Sequence, residues 1–247
     1  MRKLRKQNAM SLFSIDIELL RSIFAAIKDL AQNASLGFLP DALTIKAMDA
    51  ANICFIVATL QRERFASYAA KEAFNFSLNV GLMCTAMQCM RQKKGLLFVM
   101  ATDHELVLTS ADGCARFKVG SYAESASDIV IPEDLLYEHS LLLPSRDLKE
   151  ATADVLGLCD EALLRASAAC FELATHPADT LHRHWPVHSS GTSVVELRLG
   201  TQYLHSMCKH SSLSATVTLE LDAQLPVRLV YAFGVGSRLE FYLAPLA

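Results

Sequence analysis

The sequence predicts an α+β protein of two similar domains, each with two helices packed on antiparallel sheets. Two observations lead to this fold class. Apolar residues repeat with the helical period in four separate segments, and with the period of a strand in many others. The order strand, helix, strands, helix, strands occurs once in each half of the chain, with little residue identity between the halves.

The clearest strand signals lie in residues 213–247. Apolar and polar residues alternate from 217 to 221, which is typical of a strand with one buried face. A second β-rich run covers residues 225–233, and the glycine-containing turn at 234–237 leads into a third run at 239–243. We therefore predict an antiparallel meander that holds the end of the chain against a sheet.

The first half contains two predicted helices. The first helix follows Asp16, and its buried face is predicted to carry Leu20, Ile23, Phe24, Ile27 and Leu30. The second helix is predicted over residues 81–93, with Leu82, Met83, Ala86, Met87 and Met90 buried and with Thr85, Gln88 and Arg91 exposed. Strands are predicted at 43–60, where 48–52 connects two of them, at 64–69, at 73–79, and two or three times between 96 and 122.

The predicted domains are residues 1–122 and 137–247, joined by a linker at 123–136. The linker contains no core pattern apart from a short apolar patch that Pro132 stiffens. In the second domain, Ser145 is the expected N-cap of a helix that ends at Leu156. The other predicted elements of this domain are strands at 138–143, 161–166, 169–174, 180–187 and 194–199, and a helix at 201–210.

Composition favours a folded intracellular protein. Apolar residues make up 52% of the chain and charged residues only 20%, which is enough apolar surface for two cores. The longest apolar run is far shorter than a membrane span, so we expect no membrane partner. Seven cysteines without a CxxC pair favour reduced thiols over a disulfide framework.

The net charge of −3 argues against a protein that binds nucleic acid through bulk electrostatics. It leaves room for a local basic surface. The exposed faces of the predicted helices do carry such residues, namely Arg21 and Lys28, then Arg91, then Arg146 and Lys149, then His205 and Lys209. Each face taken alone is typical of an ordinary solvated helix, but their recurrence on all four predicted helices suggests a shared surface.

The sequence contains no catalytic motif that we can assign. His182 and His184 form an HxH pair on a predicted strand, but no cysteine or carboxylate follows at a zinc-site spacing, so we predict a surface or interface role and no metal. Gly234 and Gly236 lie between two strands, which indicates a hairpin and not a nucleotide-binding loop. We therefore expect a protein without catalytic residues or cofactors.

Seven collinear segments resemble one known family, that of the eukaryotic-type sliding clamp, proliferating cell nuclear antigen. The segments are residues 26–30, 43–53, 131–133, 142–145, 212–219, 225–231 and 241–245. The resemblance spans about residues 19–245, which is nearly the whole chain. It implies the DNA clamp fold, a homotrimeric ring of two-domain subunits, and helices that line a central hole.

The resemblance also implies a function. A clamp of this kind is not an enzyme; it is loaded by an ATP-driven clamp loader and tethers DNA polymerase and other replication or repair proteins to duplex DNA. It would act in the nucleus, or at a viral replication site if the chain is viral. The residues that would face the DNA backbone, without reading its sequence, are Arg21, Lys28, Arg91, Lys149 and Lys209. Thr85 and Gln88 lie where the family usually has lysines.

Two further sites follow from the resemblance. The family binds short peptides with aromatic side chains in an apolar pocket, and the matching residues here are Met48, Ile53, Ile129, Ile131, Pro226, Tyr242, Ala244 and Pro245. Subunits in the family meet through two edge strands, which match residues 115–122 and 180–187. The candidate interface residues on these strands are Arg116, Lys118, His182 and His184.

Other functions stay open at this point. A relative could keep the fold but lose the ring symmetry, as one subunit of a heterotrimeric checkpoint-type clamp or as a monomeric processivity factor. A third interpretation is a scaffold that binds other proteins but not DNA, since basic residues are sparse. A hydrolase or redox enzyme is the weakest reading, because no pair of nucleophile and base can be named.

Overall fold

The computed structural model describes residues 11–70, 73–91, 94–102, 104–121, 135–177, 180–189 and 191–246. The chain forms two compact units. Of the described residues, the first unit contains 11–47, those within 58–121, and Gly234–Ser237. The second unit contains Met48–Val57, those within 135–233, and 238–246. Most of the predicted linker at 123–136 lies outside the described residues, so the predicted domain boundaries stay a prediction.

The first half of the chain folds as predicted into strand, helix, strands, helix, strands. Its helices are α1 (Ile17–Lys28) and α2 (Val80–Cys89). Its strands are β1 (Ser11–Asp16), β2 (Asn33–Phe38), β3 (Ala42–Met48), β4 (Cys54–Gln61), β5 (Phe65–Ala70), β6 (Phe74–Asn79), β7 (Leu96–Ala101), β8 (Glu105–Ser110) and β9 (Arg116–Gly120). The sequence analysis assigned no residues to the first strand of this order, β1, and it did not predict β2.

Antiparallel sheets form the framework of the first unit. One sheet has the strand order β5-β1-β7-β8-β9, so β9 is an edge strand of the described part of this sheet. Separately, β2 pairs with β3 on one side and with β6 on the other. Helices α1 and α2 pack against each other, and the core beneath them includes Phe13, Ile15, Phe24 and Phe76, all at most 2% exposed.

The second half repeats this order of elements. Its helices are α3 (Ser145–Leu156) and α4 (Thr201–Cys208). Its strands are β10 (His139–Pro144), β11 (Glu161–Ala166), β12 (Cys170–His176), β13 (His182–Pro186), β14 (Val195–Gly200), β15 (Thr216–Leu221), β16 (Val227–Ala232) and β17 (Arg238–Leu243). The predicted C-terminal meander is therefore confirmed as β15, β16 and β17.

The second unit contains two antiparallel arrangements of strands. One sheet has the order β13-β12-β11-β14, and its described part has β13 at one edge. In the other arrangement, β10 pairs with β15, β15 with β16, and β16 with β17. Helices α3 and α4 pack against each other, as α1 and α2 do in the first unit. Within the described residues, no helix has both the length and the apolar character that a membrane span requires.

Side-chain capping explains where α1 and α2 begin. Asp16 caps α1 as its side chain accepts a hydrogen bond from the Glu18 backbone N–H over 3.0 Å. Asn79 caps α2 in the same way, and this helix ends at Cys89, earlier than the predicted 93. The predicted N-cap role of Ser145 is wrong, because Pro144 is the N-cap and Ser145 is the first helical residue.

The predicted helix faces are correct in most positions. Leu30, predicted on the buried face of the first helix, lies after the end of α1 and is half-buried. Arg21, His205 and Lys209, predicted on exposed faces, are also half-buried.

Leu82 was predicted to be buried in α2, but it is 48% exposed. The helix begins at Val80, so its first turn contributes Val80 and Met83 to the core, and Leu82 points away from them. Thr85, Gln88 and Arg91 are exposed, as predicted.

Candidate functional site

The basic residues predicted on α1 and α2 differ in their exposure and in their contacts. Lys28 is exposed in the last turn of α1. Arg91 is exposed just after α2, in a left-handed backbone conformation with φ of 53°. Arg21, by contrast, is half-buried, and its Nη2 donates a hydrogen bond to the backbone oxygen of Met87.

This contact gives Arg21 a structural role within the first unit. The Met87 oxygen is one of the last carbonyls of α2, which carry partial negative charge and lack partners inside their own helix. A guanidinium at this position gives the carbonyl a hydrogen-bond partner, and its positive charge interacts favourably with the negative end of the helix dipole. Arg21 therefore ties α1 to α2, and its predicted contact with DNA stays a prediction.

Three basic side chains lie close together on α3 and α4 in the second unit. Lys149 is exposed, while Lys209 and His205 are half-buried. Burial lowers the pKa of His205, and the charges of Lys209 and Lys149 lower it further. His205 Nδ1 also lies 3.3 Å from the Thr152 hydroxyl. Both lysine charges therefore act on one imidazole, and we call Lys149, His205 and Lys209 the basic surface on α3 and α4.

The turn between β3 and β4 is built around the buried carboxylate of Asp49. Its oxygens accept backbone N–H hydrogen bonds from Ala51, Ile53 and Cys54 over 2.7–3.1 Å. The Tyr203 hydroxyl of α4 donates a further bond to Oδ2 over 2.8 Å. Burial alone would raise the pKa of Asp49, but these hydrogen bonds outweigh it and hold the pKa below its ordinary value of 3.8. The carboxylate thus fixes the segment that presents Ile53.

The structure brings the described members of the predicted pocket to one part of the second unit. Ile53 is 36% exposed, and its backbone oxygen accepts a hydrogen bond from the Ala244 N–H over 2.9 Å. The backbone oxygen of Pro226 accepts a bond from the Tyr137 hydroxyl over 3.1 Å. The remaining described members, Met48, Tyr242 and Pro245, are half-buried. Ile129 and Ile131 lie outside the described residues.

Tyr242 is the aromatic member of this group, and charged neighbours hold it in place. The guanidinium of Arg228 lies 5.6 Å from its ring centre, and the Phe55 ring lies 6.4 Å away. Its hydroxyl donates to Glu240 Oε1 over 3.1 Å. Burial, with the negative charge of Glu240, raises the pKa of Tyr242 to about 12. Arg228 Nη1 also donates a hydrogen bond to Glu220 Oε2 over 2.7 Å, so the Tyr242 ring lies beside a network of ion pairs.

Both predicted subunit-contact strands lie at sheet edges in the described parts of the sheets. Lys118 of β9 forms an ion pair with Glu105 over 3.1 Å. On β13, His182 and His184 lie 3.5 Å and 3.9 Å from the carboxylate oxygens of Glu172. Arg116 is exposed on β9.

Sequence reasoning missed several residues that shape this site. Asp49 and Tyr203 are far apart in the chain, and only the fold brings them together. The pattern Asp49 to Asn52 did carry a local signal, since an aspartate commonly accepts backbone N–H groups two or more residues ahead. Glu172 was missed because β-strand pairing, and not sequence spacing, places it beside His184.

The comparisons with known proteins agree with the fold. The family model for the proliferating cell nuclear antigen N-terminal domain matches residues 14–113, and the model for its C-terminal domain matches residues 185–246. A crystal structure of proliferating cellular nuclear antigen from Entamoeba histolytica superposes with a TM-score of 0.87 at 15% identity. The alignment covers 97% of this chain and 100% of that one. The predicted α+β clamp fold is confirmed.

Curated relatives are similar over nearly their whole length. Proliferating cell nuclear antigen of Chaetomium thermophilum is 25% identical, covering 92% of this chain and 94% of the relative. The "DNA polymerase sliding clamp" of Archaeoglobus fulgidus is 24% identical, covering 92% and 95%. The "Probable DNA polymerase sliding clamp" of Orgyia pseudotsugata multicapsid polyhedrosis virus is also 24% identical, covering 91% and 92%. Because the two domain models together match more than half of its residues, this chain belongs to the proliferating cell nuclear antigen family.

Proposed function

We propose that this protein is a DNA sliding clamp, which encircles duplex DNA and tethers replication and repair proteins to it. The observation that carries the proposal is the match of both halves of the chain to the two clamp domains, in the right order. Relatives named as DNA polymerase sliding clamps, from an archaeon and a virus, support it. The protein has no catalytic role in this account, and it works where DNA is replicated, in a nucleus or at a viral replication site.

Basic residues on the helices would contact the DNA. Lys28, Arg91 and Lys149 are exposed, and Lys209 is half-buried beside Lys149 and His205. Lysine and arginine contacts to phosphates carry no base information, so the protein can move along the duplex. With a net charge of −3, charge attraction alone would hold DNA weakly. Encirclement supplies the retention, because a closed ring leaves a duplex only at an end or by opening.

Ring closure would join β9 of one copy to β13 of the next in a homotrimer. Unpaired edge strands promote association with another chain, and a neighbouring copy protects them. Cationic groups on these strands already have acidic neighbours within their own unit. Lys118 pairs with Glu105, Arg183 pairs with Asp154, and Glu172 lies beside both histidines of β13. These neighbours reduce like-charge repulsion when the edges approach.

Partner proteins would bind at the surface around Ile53 and Tyr242. This surface combines an exposed isoleucine, a half-buried tyrosine and the segment at Ala244 and Pro245. A short peptide with aromatic side chains fits such a surface, since buried aromatic groups supply much of the binding energy at interfaces. DNA polymerase and the ATP-driven clamp loader are the expected partners.

Topological retention on DNA tests the function. The protein is loaded with clamp loader and ATP onto a nicked circular plasmid, and the DNA-bound fraction is isolated by gel filtration in high salt. We expect the clamp to stay on the circle and to leave after a restriction enzyme linearises it. A Lys28→Glu, Lys209→Glu double variant should load more slowly. Equal retention on circular and linear DNA would contradict encirclement.

A further inference from the structure

A cluster of metal-binding side chains lies on one face of the sheet β13-β12-β11-β14. Cys170 and Glu172 lie on β12, and His184 lies directly opposite Glu172 on β13. Side chains alternate between the two faces of a strand, so these three residues share one face. The opposite face carries Phe171 and Trp185, whose rings stack with centres 5.4 Å apart. The cluster is therefore on the more open side of the sheet.

The donor atoms of this cluster are close together. Glu172 Oε1 lies 3.9 Å from Cys170 Sγ and 3.9 Å from His184 Nδ1. All three donor atoms lie within 4.8 Å of one another. Tetrahedral zinc, with ligand bonds of about 2.0–2.3 Å, places its donor atoms roughly 3.3–3.7 Å apart. Small side-chain rotations would bring the three donors to that separation without moving the strands.

We propose that Cys170 Sγ, Glu172 Oε1 and His184 Nδ1 bind a divalent transition-metal ion, with Zn²⁺ as the preferred ion. A thiolate, an imidazole and a carboxylate form a mixed set that suits zinc, whereas Mg²⁺ and Ca²⁺ take oxygen ligands. Three protein ligands leave the fourth position open to water or another ligand. On binding, the Cys170 thiol gives its proton to solvent, and the metal takes its place on the sulfur.

Neighbouring groups would orient these ligands. Glu172 Oε2 lies 3.5 Å from His182 Nε2 and 3.6 Å from Arg165 Nη1, so the second carboxylate oxygen is held while Oε1 faces the cluster. The positive charge of Arg165 is offset by Glu196, which lies 2.7 Å from its Nη2. The Ser167 hydroxyl lies 3.3 Å from Cys170 Sγ. Such surrounding contacts are typical of metal sites and tune their affinity.

The alternative to metal binding is that Glu172 only forms ion pairs with its basic neighbours. The two readings differ in the role of the sulfur, because an ion pair between Glu172 and the histidines needs no thiolate. Replacing Cys170 therefore distinguishes metal binding from ion pairing most directly. The test is independent of the clamp function, since it measures metal on the purified protein in whatever oligomeric state it has.

The experiment is a cobalt titration of the full chain without an affinity tag, in a phosphine reductant, followed by displacement with Zn²⁺. We expect one Co²⁺ per chain and a near-ultraviolet thiolate-to-cobalt charge-transfer band, which Zn²⁺ removes. Cys170→Ser should abolish the band, whereas Cys114→Ser, which changes an exposed cysteine elsewhere, should keep it. Glu172→Gln and His184→Gln should each weaken zinc affinity at least about tenfold.

Further variants separate ligands from their neighbours. His182→Gln should weaken zinc binding less than His184→Gln, because His182 faces the other carboxylate oxygen. Circular dichroism without metal checks that each variant is folded. The proposal is overturned if the wild-type protein shows no charge-transfer band and no saturable zinc binding, or if Cys170→Ser binds zinc as tightly as wild type does.

Discussion

The Tyr203 hydroxyl donates a hydrogen bond to Asp49 Oδ2 over 2.8 Å, which links helix α4 to the turn between β3 and β4. The same carboxylate accepts the backbone N–H groups of Ile53 and Cys54. Helix α4 is followed by Lys209, a candidate DNA contact, and the turn presents Ile53, a candidate peptide contact. One buried carboxylate therefore fixes both regions of the second unit.

Replacing this carboxylate should destabilise the protein. Asp49→Asn keeps the size of the side chain but replaces charge-assisted acceptors with an amide, whose NH₂ group cannot accept the backbone N–H groups. We expect a loss on the order of 2 kcal/mol in the free energy of unfolding, measured by urea denaturation. Tyr203→Phe removes one hydrogen bond only and should cost about 1 kcal/mol. Equal stability of Asp49→Asn and wild type would show that the carboxylate does not hold the turn.

The effect of Asp49→Asn should depend on pH. The folded state lowers the pKa of Asp49 below its ordinary value of 3.8, so the folded state favours the ionised form. The resulting stabilisation is fully present above pH 3.8 and is lost as the pH falls through the lowered, folded-state pKa. The difference in unfolding free energy between wild type and Asp49→Asn should therefore be constant near neutral pH and shrink as the pH falls below 3.8. Other carboxylates titrate in both proteins and cancel in this difference, so a difference that stays constant as the pH falls below 3.8 would contradict the assignment.

The basic surface on α3 and α4 should contribute to DNA affinity. In Lys149→Glu and Lys209→Glu, each lost phosphate contact should reduce the slope of log K against log salt by about 1. Fluorescence anisotropy with a labelled duplex measures this slope. Arg62→Glu makes the same change of charge at an exposed position in a short 3-10 helix, outside the four α-helices, and its slope should equal that of wild type. Equal slopes for all variants would remove these lysines from the DNA-binding surface.

The aromatic ring of Tyr242 should matter more for partner binding than its hydroxyl. Tyr242→Ala removes a half-buried ring and should weaken a clamp-binding peptide with aromatic side chains at least about tenfold, since truncated hot-spot residues typically cost about 2 kcal/mol or more. Tyr242→Phe keeps the ring and loses only the bond to Glu240, so it should bind nearly as wild type does. Isothermal titration calorimetry measures both. The combination of Ile131→Ala with Tyr242→Ala should abolish binding while the oligomeric state is unchanged.

If Tyr242→Ala binds the peptide normally, the predicted pocket is wrong. Urea denaturation of the same variant separates a local effect from unfolding, because the Tyr242 ring also lies beside Arg228 and Phe55. A variant that is folded but does not bind supports the pocket. A folded variant with wild-type affinity contradicts it.

Most of the fold could be predicted from the sequence because most of its elements have clear apolar periods. The helix after Asp16 and the strand β11 are found where the patterns place them. Strand β1 was missed because it buries Ser11 and Ser14, and the Ser14 hydroxyl bonds that of Ser67 on β5 over 2.8 Å. Two buried serines among the six residues of β1 leave no apolar alternation to detect.

Strand β2 was missed for a related reason. It contains Gly37, which looks like a break in a strand pattern. In the structure, a Cβ atom at Gly37 would lie 2.5 Å from Thr44 Oγ1 on β3, so the glycine permits close approach of the two strands. The need for glycine is set by tertiary packing, which local propensity does not contain.

The candidate sites were less predictable than the fold. Residues such as Lys28 and Tyr242 were identified through family resemblance, whereas Arg21 has a contact with Met87 that no local pattern indicates. The cysteine, glutamate and histidine of the proposed metal site are separated by 2 and 12 residues and meet only through strand register. Spacing rules for metal motifs assume ligands on tight turns or helices, so they do not find such a site.

The native mass of the protein in solution tests the proposed ring most directly. The chain mass is 27.1 kDa, and gel filtration with multi-angle light scattering at micromolar concentration measures how many chains associate. The homotrimeric ring predicts three times the chain mass, without dependence on added DNA. A single species at 27.1 kDa would contradict the ring.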